Sequence, residues 1–321
     1  MNTPLRAIVF AVLCLAMAAS ASAQNGPVRI LVGFAPGGAS DVTARLIMDR
    51  MKNSLGTPVV VENKPGVNGI LAAETLKNAP PDGKMLMISP IAVTVFAPLT
   101  HGKLGYDPTK DFAPVSLAAS FQLALAVGPG SPAKTLHEYL AWVRANPAKG
   151  AYGTPTVGGP PHFFGVMLAR ATGLDLVYVP YKGGALMVND LIGGQVPAGI
   201  TALSELLKHH ESGRVRILAS SGPQRSLAAP DVPTFKELGF AAIEGIGWLA
   251  FHTGAGTPRP VVDRLSAAIG SAIKAPEVSE RLLALGLEPV GSTPEELASR
   301  MAQDTARWAP VVKASGFRAA D

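Results

Sequence analysis

From Val28 onward the chain alternates short apolar runs with longer stretches whose apolar residues recur at three-to-four spacing. VRILVGF (28–34) reads as a strand buried on both faces, which needs no polar alternation. SDVTARLIMDRMKNSLG (40–56) reads as an amphipathic helix with one apolar stripe. The plan repeats with a strand at Pro58–Val61, a Pro65–Gly69 turn opening a helix over about 69–78, an Asp82-Gly83 turn and a strand at 84–89. A second series starts near Gln122 with a strand at 123–128. A helix at 135–145 follows, with Thr135 as candidate N-cap and Glu138 at the capping-box position. Strands at 151–153, 176–181, 196–200 and 214–221 then alternate with helices at 161–172, 185–192 and 203–212. Strand–helix units of this length predict a parallel sheet covered by helices on both faces.

Two segments share one plan. LALAVGPGSPAKTLHEYLAWV and WLAFHTGAGTPRPVVDRLSAAI each run from a strand through a Gly/Pro turn into a helix. Taken as strands that cross between lobes, they assign residues 24–122 and 247–321 to a first lobe and 123–246 to a second. The expected fold class is α/β, two lobes joined by two crossing strands, with a cleft between them that hinge closure can seal over a ligand.

Composition narrows the function. With 321 residues there is room for roughly two domains. Hydrophobic residues make up 48% and charged ones 16%, as in a well-packed protein without a disordered tail. The net charge of +5 suits an acidic small ligand, but the basic residues are scattered. The longest basic stretch, Arg214-Val215-Arg216, is too short for a nucleic-acid footprint. At the N-terminus, a positive region at Met1–Arg6, an apolar run at Ala7–Ala18 and a small-x-small site at Ala21-Ser22-Ala23 read as a secretory leader cut after Ala23. The single cysteine, Cys14, falls inside that run, so the exported chain is expected to be free of disulfides, thiol nucleophiles and thiolate metal sites.

Three glycine-rich strand-to-helix turns carry the candidate chemistry. GFAPGGASD (33–41) ends the first strand, where open α/β sheets place ligands. Its glycines allow close backbone approach, and the following helix aims free amides at the turn. The spacing is not G-x-G-x-x-G and no GK[ST] follows, which disfavours a nucleotide. The competing reading is a plain corner with Ser40 as cap and Asp41 complementing the dipole. Asp41 would repel a bare carboxylate and suits a ligand bearing a hydroxyl or ammonium. YGTPTVGGPPH (152–162) and VPYKGGA (179–185) are the other two turns, offering Thr154, Thr156 and Gly158 in one and Lys182, Gly183 and Gly184 in the other. Nucleophile elbows and zinc helices are absent from the sequence. His209-His210 reads as a polar helix end, and Trp142, Trp248 and Trp308 as packing. No catalytic residue, cofactor or metal is expected. The alternative is a secreted hydrolase or lyase using Asp41 and His162 as acid and base.

VGFAPGGASDVTAR, VVVENKPGVNGILAAE, APPDGKMLMIS, YDPTKDFAPVS, VPYKGGALMVNDLIGGQV, SGPQRSLAAPDVPTFKELG and GTPRPVVDRL together resemble the Bug family, the periplasmic solute-binding receptors of tripartite tricarboxylate transporters. The resemblance runs in order through nearly all of the chain after the leader. It implies a type II periplasmic-binding-protein fold, a small carboxylate ligand (an organic, amino or aromatic acid), and delivery to transporter subunits or a sensor. A monomer in the periplasm is expected. Carried over residue by residue, the ligand contacts fall on Phe34, Gly37, Gly38, Ser40 and Asp41, on the loop from Ser89 to Ile91, and on the turns holding Thr154, Thr156, Gly158, Lys182, Gly183 and Gly184. YGTPTVGGPPH departs from the serine- and asparagine-rich turn usual in the family. Fewer side-chain donors and the apolar Val157 leave a less polar or aromatic acid beside a di- or tricarboxylate.

Overall fold

The computed structural model describes residues 26–181 and 183–319. The leader read at 1–23, with its cleavage site and Cys14, lies outside the described residues, as does Lys182. β1 (Val28–Val32) leads to α1 (Ala39–Leu55), then β2 (Val59–Asn63), α2 (Ile70–Lys77) and β3 (Met85–Pro90). Ala44, Ile47, Met51 and Leu55, at helical spacing, form the buried stripe of α1. Gly56, at φ +66, ends that helix with its amide on the Lys52 carbonyl. β1 lies between β2 and β3 and is parallel to both. After β3 the chain makes a π-helical turn (Ala92–Phe96) and a short α-turn (Ala97–Thr100). The wide turn exposes the Val93 carbonyl, and the buried Tyr106 hydroxyl donates to it at 2.6 Å.

β4 (Phe112–Val127) is 16 residues long, and the strand expected at 123–128 is only its last third. Its first part contains Pro114, tolerated because the register on the neighbouring strand shifts between Pro114 and Ser116. Next come α3 (Leu136–Ala145), β5 (Ala151–Thr154), α4 (Pro160–Thr172), β6 (Val177–Pro180), α5 (Gly184–Ile192), β7 (Ala198–Ala202), α6 (Leu203–Glu211) and β8 (Arg216–Ser220). Thr135 caps α3, but the Glu138 carboxylate turns to the Lys134 amide instead of completing a box with Thr135. The chain returns along β9 (Ile246–Gly254) and ends with α7 (Arg259–Ile273), α8 (Pro276–Ala284), β10 (Glu288–Pro289) and α9 (Pro294–Ser315). A full capping box between Thr293 and Glu296 opens α9.

The fold is two α/β lobes. One sheet runs β2-β1-β3-β9-β4, and in the other the far part of β4 sits between β8 and β7, followed by β5 and β6. The expectation of parallel pairing holds for β1–β3 and for β5–β7, but not for the crossing strands. β9 is antiparallel to β3 and β4, and β4 is antiparallel to β7 and β8. A chain that leaves one lobe along β4 and returns along β9 must run these strands in opposite senses when they pair.

An aromatic core joins elements that follow both sheets. Phe96, after β3, stacks on Phe163 of α4 at 5.6 Å and 19°, and meets Trp308 of α9 at 5.0 Å. Trp248 of β9 is fully buried and donates its indole N–H to Asp304 at 2.8 Å, an acid also held by Arg300 at 2.7 Å. Phe96→Ala is expected to cost about 3–5 kcal/mol, the range for a buried phenylalanine truncated in a rigid setting. Urea unfolding checks it; a loss below 1 kcal/mol would mean that this ring stack carries little.

Candidate functional site

Strand register places the candidate turns. Pro90 of β3 lies opposite Leu249 of β9, which lies opposite Ala119 of β4. Parallel β1 matches β3 with Val32 opposite Ile88, so the loops after both strands leave at the level of Ala119–Gln122. In the second sheet Leu123 of β4 lies opposite Ala202 of β7. β5 and β6, parallel to β7, end on the same edge, with Thr154 opposite Pro180. The carboxyl ends of both sets of parallel strands therefore converge at Gln122–Leu123. This is the topological position where α/β proteins bind ligands.

The loop after β1 is held by a clamp centred on Asp41. Its carboxylate accepts from the Gly37 amide at 2.9 Å, from Arg45 Nε at 2.9 and 3.0 Å, and from Asn63 Nδ2 at 2.9 Å. Burial alone would push this carboxyl up, but the Arg45 guanidinium and the Gly37 and Asn63 donors outweigh it and hold the group below its ordinary value. Asn63 also donates to the Phe34 carbonyl at 3.1 Å, tying the far end of the loop to the same clamp. Glu62, next to Asn63 in β2, pairs with Arg29 and takes no part in the clamp. Gly37 adopts φ +87, so the turn toward its own helix needs glycine. Gly38 is the N-cap, and no side chain caps α1, which corrects the reading of Ser40 as cap. Val42 makes the first intrahelical bond, to the Gly38 carbonyl, leaving the Ala39, Ser40 and Asp41 amides without a helical acceptor. Gly37 and Gly38 are exposed, Ser40 is buried, and the Phe34 ring packs over Gly69.

At the end of β3 the Ser89 hydroxyl is buried without a hydrogen-bond partner, and so is that of Thr94, five residues on in the π-helical turn. The Ile91 side chain lies in the aromatic core, so only its main chain is free to face a ligand. In the turn after β5, Thr154 Oγ1 donates to the Thr156 carbonyl at 3.2 Å. The Gly158 amide donates to His162 Nδ1 at 3.3 Å, and Pro160 and Pro161 have no amides to offer. That turn is therefore poorer in free donors than its glycines suggest. Phe317 closes over Gly158 beside Thr100, linking this turn to the segment after β3.

Among the described residues no hydrogen bond joins the 34–41 loop to the 183–184 turn, or Asp41 to His162. The acid–base reading of that pair is corrected on this ground, since each has another task. His162 is buried against Tyr178 and Phe317, and burial pushes it down to about 4. It is a neutral acceptor at neutral pH, and Asp41 is a charged clamp.

A strand-to-helix junction without glycine was missed. β7 passes directly into α6, and Glu205, in the first turn of α6, receives a hydrogen bond from Thr201 and lies against Gly184 of the 183–184 turn. The available signal was positional: VPAGITA (196–202) followed by SELL is another strand-to-helix passage on the same edge. A cavity of about 390 Å³ lies elsewhere, bounded by Val127, Lys134, His210, Arg214 and Arg216. Val127 of β4 faces Ala198 at the start of β7, so this basic groove opens on the edge opposite the candidate turns. Among the described residues no helix is long and apolar enough to cross a membrane.

Two lobes meeting at converging strand ends lined by main-chain donors have the architecture of a solute-binding protein. The model of the tripartite tricarboxylate transporter family receptor matches residues 43–317, and the chain belongs to that family, whose members include the Bug periplasmic solute-binding proteins. The structure is similar to the periplasmic binding protein BugD, with TM-score 0.82, 31% identity, and 91% of this chain and 98% of that one covered. It is similar to an adipate-bound protein of R. palustris, with TM-score 0.85, 29% identity and the same coverages of 91% and 98%. MatC from Rhodopseudomonas palustris with bound malate matches with TM-score 0.81 and 30% identity over 89% of this chain and 98% of that one.

Acid stability follows from the buried rings. Burial pushes both His162 and His252 down to about 4, against about 6.5 in an unfolded chain. A base depressed on folding leaves the unfolded state the better proton binder, so stability falls as pH drops from about 6.5 toward 4 and levels off below. Each ring contributes up to about 1.4 kcal/mol per pH unit in that window. The Asp41 contribution is separate, present above about 3.8 and lost as pH falls through its lower folded value. His162→Asn, which keeps an acceptor for Gly158, should lower proton uptake on unfolding by about one; urea titrations between pH 7.5 and 4.5 measure it, and an unchanged slope contradicts the assignment.

Proposed function

We propose that this chain is an exported receptor that captures a small carboxylate between its lobes and presents it to the membrane subunits of a tripartite tricarboxylate transporter or to a sensor. The observation that carries this reading is the convergence of both sets of strand ends at Gln122–Leu123, lined by unpaired amides and the orphan Ser89 hydroxyl. Relatives of the same fold holding adipate and malate support a carboxylate as the ligand. On this reading residues 24–122 and 247–321 form one lobe and 123–246 the other, and the leader ending at Ala23 directs a monomer to the periplasm. The first wall is Phe34, Gly37, Gly38 and Ser40, kept in shape by Asp41, with Ser89 and Ile91 beside it. Thr154, Thr156, Gly158, Lys182, Gly183 and Gly184 form the second wall.

Calorimetry against a panel of di- and tricarboxylates, amino acids and aromatic acids tests the assignment, and no binding by folded protein would refute it. Two variants separate binding from folding. Ser89→Ala removes a hydroxyl that has no partner in the fold, so stability should hold or rise while affinity falls by roughly tenfold or more, the scale of a lost bond to a charged group. Gly38 has an ordinary extended backbone with open space beside it, so Gly38→Val should fold normally yet weaken binding. Unchanged affinity in both would place the ligand elsewhere.

A further inference from the structure

The second wall carries a carboxylate where its helix ends favour an anion. α5 begins at Gly184 and α6 at Leu203, and both present first-turn amides at the edge where β6 and β7 end. Glu205 occupies this place. A side chain on Gly184 would overlap its carboxylate, so the bare α-carbon there is what lets Glu205 lie against the turn. Thr201, itself buried, donates its hydroxyl to the same carboxylate and fixes its position. The residue is exposed to water, so its carboxylate can meet a ligand. Among the described residues, which do not include Lys182, no cation pairs with it. Asp41, the acid across the cleft, is neutralised by Arg45.

We infer that Glu205 is the specificity-determining residue of the second wall, and that it selects a carboxylic acid bearing an ammonium group over the same acid without one. The inference rests on the carboxylate-binding reading and names the substrate class within it. A plain diacid closing into the cleft would bring a second negative charge beside Glu205 as water leaves. An ammonium supplies three donors and the opposite charge at that point, and a hydroxyl supplies one donor and no charge. The first wall, with its α1 amides and Ser89, takes the ligand carboxylate common to all three.

The test compares acids that share a carbon skeleton: succinate, malate and aspartate; glutarate, 2-hydroxyglutarate and glutamate; 3-phenylpropanoate and phenylalanine. Calorimetry at pH 7.5 should find the ammonium-bearing member of the accepted skeleton bound at least tenfold more tightly than the unsubstituted one, with the hydroxy acid between. In Glu205→Gln that preference should shrink below threefold. Gly184→Ala, which displaces the carboxylate without altering its charge, should reduce the preference in the same direction. Thermal unfolding of both variants verifies that they fold. A wild-type preference for the unsubstituted acid, or a preference unchanged in Glu205→Gln, overturns the role of Glu205 while leaving carboxylate capture intact. Failure of every acid to bind wild-type protein overturns both.

Discussion

Sixteen consecutive residues, Phe112–Val127, serve two sheets at once. As far as Gln122 the strand is hydrogen-bonded to β9, and from Leu123 it is flanked by β7 and β8. Side chains pin this junction. Gln122 accepts from the Gly222 amide and donates to the Gln224 carbonyl, while Ser221 accepts from the Leu123 amide and donates to the Gly245 carbonyl. Three passages of chain are therefore fastened within a few residues of the point where the sheets exchange neighbours. Buried main-chain groups must be paired, so any motion between the lobes has to bend the crossing strands and cannot unzip them. That constraint keeps the strand ends of both lobes facing each other.

Glycine-rich turns of this kind look alike in sequence but do not offer equal numbers of donors. At Gly37 the amide is already committed to Asp41, which converts the turn into a braced loop and leaves the Ala39, Ser40 and Asp41 amides without a helical acceptor. At Gly158 the amide goes to His162, and two prolines remove two more donors. At Gly184 the room that glycine creates is filled by Glu205. The protein thus places internal acceptors on two of the turns and a side chain against the third, which limits the main-chain donors that any of them leaves free.

The strand–helix alternation was legible because each buried strand is a short apolar run and each helix keeps one stripe. The lobe-crossing strand was only half legible, since FAPVSLAASFQ carries an internal proline and small polar residues whose pairing is decided by β9, far away in the chain. Antiparallel pairing of the crossing strands likewise has no local signature. Among site residues, Asp41 was visible but its duty was not, because that depends on Asn63, 22 positions on. Glu205 escaped a search keyed to glycine. Its place next to Gly184 exists only because β6 and β7 both end on the edge shared with β5.

The hydroxyls of Ser89 and Thr94 are buried at and just after the end of β3 without a protein partner. A buried hydroxyl without a partner costs about 1–3 kcal/mol, so a pair of them is a standing penalty that replacement by apolar residues would remove. The surrounding core has ample means to satisfy polar groups, as Tyr106 does for the Val93 carbonyl and Thr100 for that of Phe96. Thr43, Tyr139 and Ser220 also bury hydroxyls without a partner, so what sets Ser89 apart is its place at the end of β3, where the proposed function puts a ligand. On the proposed reading, a ligand that accepts from Ser89 would gain its own bond and remove that cost. Stability forgone at Ser89 would then return as affinity, and only for a ligand that brings an acceptor to that strand end.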